Sequence, residues 1–232
     1  MNKSYLVVIP ARGGSKGIPN KNLRKLHGKP MLLWSIETAL SVFPNTQILV
    51  STDSQEIKTV AEQTGLQVPF LRPAELSGDT SPTEPTLLHA LEWQQKHRSP
   101  VDAVILLQPT SPFRKPGTLE RAITHFESSG GNSLVSVTSN HSFFWRNMNE
   151  AEALYDFENR PRRQDLNDQS RWYRENGSIY ITDSKVLIKH RNRLGGRICM
   201  FEMSEEESWE IDTLQDLIIV EALMQSIPQV LI

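Results

Sequence analysis

Short apolar runs alternate along this chain with longer segments in which apolar residues recur at helical spacing. The runs predict buried strands near 5–9, 47–51, 103–107, 134–138, 178–182 and 198–202. Helical spacing, clearest at Leu32, Ile36, Ala39 and Leu40, predicts helices near 30–43, 54–64, 84–97, 117–129 and 213–225. Strands that alternate with helices predict an α/β fold, in which a twisted, mostly parallel sheet is covered by helices on both faces.

The loop after the first predicted strand carries the strongest chemical signal. The run from Leu6 to Ile9 ends at Pro10, and residues 11–22 read ARGGSKGIPNKN. Its glycines permit backbone angles that let N–H groups converge on one point, and three cations lie among them: Arg12, Lys16 and Lys21. Converging N–H donors and cations suit the phosphates of a nucleoside triphosphate.

The spacing of this loop excludes two common phosphate-binding motifs. Walker A requires G-x-x-x-x-G-K-[ST], and the dinucleotide fingerprint requires G-x-G-x-x-G; the order Gly-Gly-Ser-Lys-Gly supplies neither. A glycine-rich surface turn with solvated lysines and arginine is the alternative interpretation of the same residues.

Two further polar segments follow predicted strands and are expected to lie beside the first loop. STDS occupies 51–54 and QPTSPFR occupies 108–114. Ligands of parallel α/β sheets bind outside the carboxyl ends of the strands. The sequence therefore predicts one binding site at this edge, although Pro-rich turns in which Thr and Ser bond their own backbone would read similarly.

Residues 139–177 interrupt the alternation of strands and helices. This segment mixes aromatic side chains with many Arg, Asn and Asp residues, and we expect it to be irregular. Irregular stretches of this length are usually functional or packed against something. An ordinary surface region is the alternative.

Composition and charge narrow the function classes. Hydrophobic content is 38% and the formal net charge is −2, so a nucleic-acid surface is not predicted. Cys199 is the single cysteine, which fits a reducing cytoplasm, and the N-terminal apolar run is too short for a signal peptide. We expect no membrane span, no histidine metal site and no hydrolase triad.

The segment Glu210-Ile211-Asp212 is the candidate metal site. Alternation in an extended strand places Glu210 and Asp212 on the same side, where two carboxylates suit Mg²⁺. Asp53 is a further acidic candidate. The competing interpretation is that Asp212 and Gln215 form a capping box at the start of the last helix, which would need no metal.

These motifs together resemble those of the acylneuraminate cytidylyltransferases, the CMP-sialic acid synthetases. The resemblance extends from Leu6 to Leu223 and rests on ARGGSKGIPNKN, STDS, RPAELSGDTSP at 72–82, QPTSPFR, RRQD at 162–165, ENGSIYI at 175–181 and EIDT at 210–213. It implies one nucleotidyltransferase domain over 1–232, with a Rossmann-like, GT-A-like sheet. It also implies that the anomeric hydroxyl of a nine-carbon 2-keto sugar acid attacks the α-phosphate of CTP, giving CMP-sugar and pyrophosphate. The implied cofactor is Mg²⁺, with Mn²⁺ able to substitute, and the implied assembly is a cytoplasmic homodimer built through 139–177.

The resemblance also assigns roles to residues. It implies that the nucleotide is bound by Ala11, Arg12, Gly13, Gly14, Ser15, Lys16, Lys21, Asn22, Arg72, Asp79, Thr80, Ser81, Gln108, Pro109, Thr110 and Ser111. It implies catalytic roles for Arg12, Lys16, Lys21, Gln108 and Asp212, with metal ligands at Glu210 and Asp212. It implies that the sugar is bound by Gln108, Arg163, Gln164, Arg174, Asn176 and Tyr180.

Several points stay open at the level of sequence. The planar guanidinium of Arg174 suits the sugar carboxylate, but the stretch after Arg163 is longer than in bacterial relatives, so Arg171 competes for that contact. The enzymatic alternatives are a cytidylyltransferase for the eight-carbon acid Kdo, whose loop keeps Ser-Thr-Arg-Leu-Pro, and an enzyme of this fold that uses GTP. A non-catalytic nucleotide-binding protein is the alternative from another class.

Overall fold

The computed structural model describes residues 3–15, 17–162, 164 and 171–226. Its strands are β1 (Tyr5–Pro10), β2 (Lys25–Leu26), β3 (Lys29–Pro30), β4 (Ile48–Ser51), β5 (Ala103–Leu107), β6 (Ser133–Asn140), β7 (Trp145–Arg146), β8 (Glu152–Ala153), β9 (Trp172–Asp183) and β10 (Ile198–Glu202). Six of them form the central sheet in the order β10-β6-β9-β5-β1-β4. The pairs β2–β3 and β7–β8 form two small hairpins.

The central sheet is mostly parallel because five of its strands share one direction. β1 pairs in parallel with β4 and β5, and β10 pairs in parallel with β6, whereas β9 runs antiparallel between β5 and β6. β1, β4 and β5 are almost entirely buried, as expected for strands covered on both faces.

Helices cover both faces of this sheet. They are α1 (Met31–Leu40), α2 (Gln55–Glu62), α3 (Thr83–His97), α4 (Thr118–Ser129), α5 (Ser184–His190) and α6 (Leu214–Ser226). Side chains of α1, α2 and α4 pack in one core cluster, and side chains of α3 and α5 pack in another on the opposite face. The predicted α/β fold with a mostly parallel, helix-covered sheet is confirmed.

A third apolar cluster lies beneath the loops at the carboxyl edge. It buries Ile18 from the first loop, Phe113 from the loop after β5 and Ile211 from the segment before α6. Val220 and Met224 of α6 belong to it as well, together with Leu26, Met31 and Trp34. Three segments that are distant in sequence are therefore anchored on one common core.

The structure departs from the predicted elements around β9. The strand predicted over 178–182 begins at Trp172 instead, because β6 continues to Asn140 and pairs with Trp172. Part of the segment predicted as irregular is thus β structure, and β7–β8 adds a hairpin. The helix α5 was not predicted, since seven residues rich in basic side chains show too little apolar periodicity.

Candidate functional site

Backbone hydrogen bonds fix the first loop against the end of β4. The Ala11 N–H donates to the Ser51 carbonyl at 2.9 Å, and the Gly13 N–H donates to Oδ1 of Asp53 at 2.9 Å. Within the loop, the Asn22 amide donates to the Arg12 carbonyl at 2.9 Å. Gly13 and Asn22 thus fix the shape of the loop, which borders a cleft.

That cleft, called here the first cleft, has a volume of about 270 Å³. It is lined by Pro10, Arg12, Gly14, Ser15, Lys21, Asn22, Arg72, Leu76, Gly78, Asp79, Ser81, Pro82, Thr83, Thr86, Gln108, Pro109 and Thr110. The first loop, the 72–86 segment and the QPTSPFR loop therefore surround one cavity, as the sequence predicts for this edge of the sheet.

Two arginines connect the walls of the first cleft. Arg12 donates from Nη1 to the Gly78 carbonyl at 3.2 Å and to Asp79 at 3.1 Å. Arg72 is only 6% exposed, donates from Nε to Ser77 at 3.0 Å, and lies 3.8 Å from a carboxylate oxygen of Asp53. Burial lowers the pKa of Arg72 from its ordinary value.

A second cleft, of about 480 Å³, opens on the other side of Asp212. It is lined by Thr138, Ser139, Asn140, Ser142, Arg174, Glu205, Ser208, Trp209, Glu210, Asp212 and Asp216. Arg174 donates from Nη2 to the Ser208 carbonyl at 3.0 Å, which holds its guanidinium at this cleft. The guanidinium can pair with a carboxylate, and the hydroxyl and amide side chains of the lining can bond hydroxyl groups.

The two clefts meet at an ion pair. Lys21, which lines the first cleft, donates from Nζ to Oδ1 of Asp212 at 2.9 Å and to the Ile211 carbonyl at 3.0 Å. The first loop also comes close to the backbone of Asp212 at Gly17, where an added Cβ would lie 2.5 Å from the Asp212 carbonyl oxygen. Only a glycine fits so close to that backbone.

The position of the two carboxylates follows from the residue between them. Ile211 is fully buried in the third apolar cluster, and its N–H donates to the Thr110 carbonyl at 2.7 Å. Alternation then turns Glu210 and Asp212 toward the second cleft. Burial and the negative charge of Asp212 both raise the pKa of Glu210. A bound cation would relieve this repulsion, so the pair fits a magnesium ion.

Other acidic groups do not join this pair. In the described part of the chain, the side chains of His, Cys, Asp and Glu form no cluster of three that could hold a metal. Asp53, considered as a further ligand, instead accepts from Gly13 and faces Arg72. Mg²⁺ is commonly held by one or two carboxylates together with substrate phosphates, so two suffice.

The capping box at the start of α6 lies one residue further along the chain than the predicted pair of Asp212 and Gln215. Thr213 and Asp216 form it: the Thr213 N–H donates to Oδ2 of Asp216 at 2.7 Å, and the Asp216 N–H donates to Oγ1 of Thr213 at 3.2 Å. The Asp212 side chain is 70% exposed and pairs with Lys21. The interpretation of Asp212 and Gln215 as a capping box is therefore wrong.

Two residues predicted to touch the sugar are buried. Asn176 is fully buried and bonds Ser136 and Ser208 at 2.6 and 2.9 Å. Tyr180 is 3% exposed and donates to Glu175, and burial raises its pKa. Neither residue is among those that line the two clefts, and a direct sugar contact stays a prediction for both.

The remaining predicted residues divide into three groups. Fully buried positions are Ala11 and Ser111, whose hydroxyl donates to the Asn176 carbonyl at 3.2 Å. Thr80 and Gln164 are exposed, and Arg171 is half-buried. Lys16 and Arg163 lie outside the described residues.

Sequence reasoning missed a buried arginine that connects the site loops. Arg114, the last residue of QPTSPFR, donates to the carbonyls of Gln108 and Ser178 at 3.0 and 2.8 Å and to Ser35 at 3.0 Å. It is 5% exposed, and burial lowers its pKa to about 9. The arginine in the motif was visible in the sequence, but two of its three partners, Ser178 and Ser35, are 64 and 79 residues away along the chain.

Known proteins match the sequence of this chain over almost its whole length. A family model described as cytidylyltransferase matches residues 6–225. The CMP-N,N'-diacetyllegionaminic acid synthase of Legionella pneumophila is 38% identical over 227 residues, which cover 95% of this chain and 96% of that protein. A pseudaminic acid cytidylyltransferase of Campylobacter jejuni is 30% identical over 217 residues, covering 91% and 92%. The N-acylneuraminate cytidylyltransferase A of Danio rerio is 36% identical over 211 residues, which cover 88% of this chain but 47% of that protein.

Solved structures with low sequence identity share the fold. The structure of CMP:2-keto-3-deoxy-manno-octonic acid synthetase complexed with CTP matches with a TM-score of 0.68 at 21% identity, covering 96% of this chain and 99% of that one. The 4-diphosphocytidyl-2C-methyl-D-erythritol synthase of Anaerococcus prevotii matches with a TM-score of 0.65 at 14% identity.

The placement of the capping box predicts different effects for two neighbouring substitutions. Thr213→Ala removes a helix cap and is expected to lower the free energy of unfolding by about 1 kcal/mol. Asp212→Asn breaks a largely exposed ion pair and is expected to lower it by less than about 0.5 kcal/mol. Urea unfolding followed by circular dichroism measures both, and the reverse order would contradict the assigned cap.

The contacts of Arg114 predict a loss that a lysine cannot repair. Arg114→Lys keeps the charge but cannot donate to Gln108, Ser178 and Ser35 from one planar group. We expect it to lower kcat/KM about tenfold or more, since a misplaced loop costs catalysis strongly. Arg121→Lys, at an exposed arginine that donates to Thr118 on its own helix, is the control. Equal rates for the two variants would contradict the role of Arg114.

Proposed function

The chain belongs to the cytidylyltransferase family, and we propose that it joins CTP to a nine-carbon 2-keto sugar acid. The products are a CMP-sugar and pyrophosphate. The family confirms the resemblance drawn from the motifs. The observation that carries the proposal is the meeting of two polar clefts at Asp212, since the reaction must bring a nucleotide and a sugar acid together at one phosphorus atom.

The first cleft suits CTP. Lys21 and Arg12 supply positive charge beside the Gly14–Ser15 backbone, where the triphosphate would lie. The 72–81 segment at the other end of the cleft, held by Arg12 and Arg72, would border the base. Catalysis of such a transfer depends mainly on positioning and on neutralisation of charge, which this arrangement provides.

The second cleft suits the sugar acid. Arg174 presents a guanidinium that can donate two parallel hydrogen bonds to a carboxylate. Arg171, half-buried and just before β9, is the competing partner for that carboxylate. The hydroxyl-lined wall from Thr138 to Ser142 would face the polyhydroxyl tail. The anomeric hydroxyl would then lie next to Asp212 and point toward the first cleft.

The pair of carboxylates at Glu210 and Asp212 would hold Mg²⁺, with Mn²⁺ able to substitute. When bound, the ion would neutralise phosphate charge and lower the pKa of the attacking hydroxyl. Lys21 lines the first cleft and pairs with Asp212, so it would be able to exchange this pairing for the phosphates.

The identity of the sugar is proposed from the relatives. Their names specify diacetyllegionaminic, pseudaminic and N-acylneuraminic acids, all nine-carbon acids, at 30–38% identity. The Kdo alternative has support from the fold alone. The helix-cap role of Asp212, which would need no metal, is excluded because Thr213 and Asp216 form the cap. The non-catalytic alternative is left to the turnover experiment below.

We also propose a cytoplasmic homodimer formed through an aromatic arm, residues 143–157. Its rings pack on one another, with Phe143 and Tyr155 centroids 4.3 Å apart, yet Phe144, Trp145 and Phe157 remain 42–59% exposed. Exposed apolar patches of this kind mark interaction surfaces. Among the described residues, no helix is long and apolar enough to span a membrane.

A turnover panel tests the proposed reaction. Pyrophosphate release is expected only with Mg²⁺, with CTP rather than GTP, ATP or UTP, and with a nine-carbon acid rather than Kdo. Asp212→Asn is expected to lower kcat about 100-fold or more, because it removes charge where the phosphates react. Glu120→Gln, on the exposed face of α4, is the control for loss of a carboxylate. A folded protein that binds CTP and turns over no pair would contradict the proposal.

The mass of the protein in solution tests the arm. The double substitution Trp145→Ser and Phe157→Ser is expected to convert a dimer into a monomer, because it removes the exposed rings. Leu71→Ser, an exposed apolar residue outside the arm, is expected to leave the mass unchanged. Light scattering after size-exclusion chromatography measures this, and a wild-type monomer at every concentration would refute the dimer.

A further inference from the structure

A bulge in β9 lies directly against the candidate metal ligand Glu210. Strand pairing passes from Val135–Tyr180 to Val137–Glu175, so one residue of β6 faces four residues of β9. Within this bulge Gly177 has a φ of +65°, a backbone conformation that side chains disfavour.

The space at Gly177 is occupied by its neighbours. A Cβ added there would lie 1.7 Å from Oε1 of Glu210, 2.7 Å from Cδ of Glu210 and 3.1 Å from Oε1 of Gln108. The Glu210 carboxylate therefore rests where a side chain of residue 177 would begin. We call this space the carboxylate notch. Gly28 has a similar positive φ of 78°, yet a Cβ there would meet nothing within 4 Å.

Hydrogen bonds to buried groups hold the bulge in place. Ser136 donates from Oγ to Asn176 at 2.6 Å and accepts from the Ile179 N–H at 2.8 Å. Asn176 donates to Ser208 at 2.9 Å, and the Ser178 carbonyl accepts from Arg114. Each end of the bulge is thus bonded to a buried group, so a side chain at residue 177 must displace Glu210.

We propose that Gly177 is a positioning residue whose missing side chain sets the place of the Glu210 carboxylate beside Gln108. The notch admits the full length of a glutamate and brings its oxygens to the junction of the two clefts. The importance of this role for catalysis rests on the proposed function. The steric coupling between Gly177 and Glu210 is independent of that function.

A double-substitution cycle on stability tests the notch without any reaction. Gly28→Ala measures the cost of a side chain at positive φ and is expected to lower Tm by about 2–4 °C. Gly177→Ala is expected to lower Tm by about twice that shift or more, since it adds a steric clash to the same backbone cost. In a background that carries Glu210→Ala, Gly177→Ala is expected to lower Tm by only as much as Gly28→Ala does. If Gly177→Ala fails to fold alone, the pair with Glu210→Ala is expected to fold.

Activity of the same variants tests the positioning role. Gly177→Ala is expected to lower kcat about 100-fold with KM for CTP changed less than about threefold, because Glu210 moves while the first cleft stays. Adding Glu210→Asp, which shortens the side chain, is expected to raise kcat of Gly177→Ala about tenfold.

The outcomes separate the two proposals. Additive shifts in Tm for Gly177→Ala and Glu210→Ala would overturn the notch, whatever the activity. If the shifts in Tm are coupled but the substitutions at Gly177 and Glu210 change kcat independently, Gly177 affects stability alone and its positioning role is overturned. A wild-type protein inactive with every substrate pair, but with coupled shifts in Tm, would refute the proposed function and leave the notch standing.

Discussion

The candidate site depends on one apolar cluster that buries a side chain from three of the segments that form the site. Ile18, Phe113 and Ile211 are at most 1% exposed and pack together with α6. The burial of each is worth roughly 1.5–3 kcal/mol relative to exposure, which exceeds the worth of any single surface ion pair. With these anchors in place, the polar residues between them have only one direction to face, and Glu210 and Asp212 turn toward the clefts.

Polar contacts then refine what the apolar anchors bring together. Arg114 joins the Gln108 and Ser178 carbonyls, and the Ile211 N–H binds the Thr110 carbonyl. A buried arginine without such partners would be costly, so the loops and the arginine depend on one another. Transfer of a nucleotidyl group asks the protein for geometry more than for covalent chemistry. A rigid junction between the clefts is therefore what this family of reactions needs.

Much of this arrangement could be predicted from sequence because it follows from local patterns. Continuous apolar runs marked β1, β4 and β5, and their carboxyl ends placed the loops at one edge. Other features depend on partners that are distant along the chain. The reversal of β9 is set by its pairing with β5 and β6, and the roles of Arg114 and Asn176 are set by residues from other elements. The exact position of the helix cap could not be predicted from sequence either. Asp212 and Thr213 both suit an N-cap, and only the structure distinguishes them.

The central claim is that the two clefts serve one reaction at Asp212. A crystal structure with CTP and Mn²⁺, in which the anomalous signal locates the metal, tests it most directly. We expect a metal bound by Asp212, next to a triphosphate that lies along the Gly14–Ser15 backbone, with the base at the 72–81 segment. A metal bound away from both Glu210 and Asp212, or a nucleotide outside the first cleft, would contradict it.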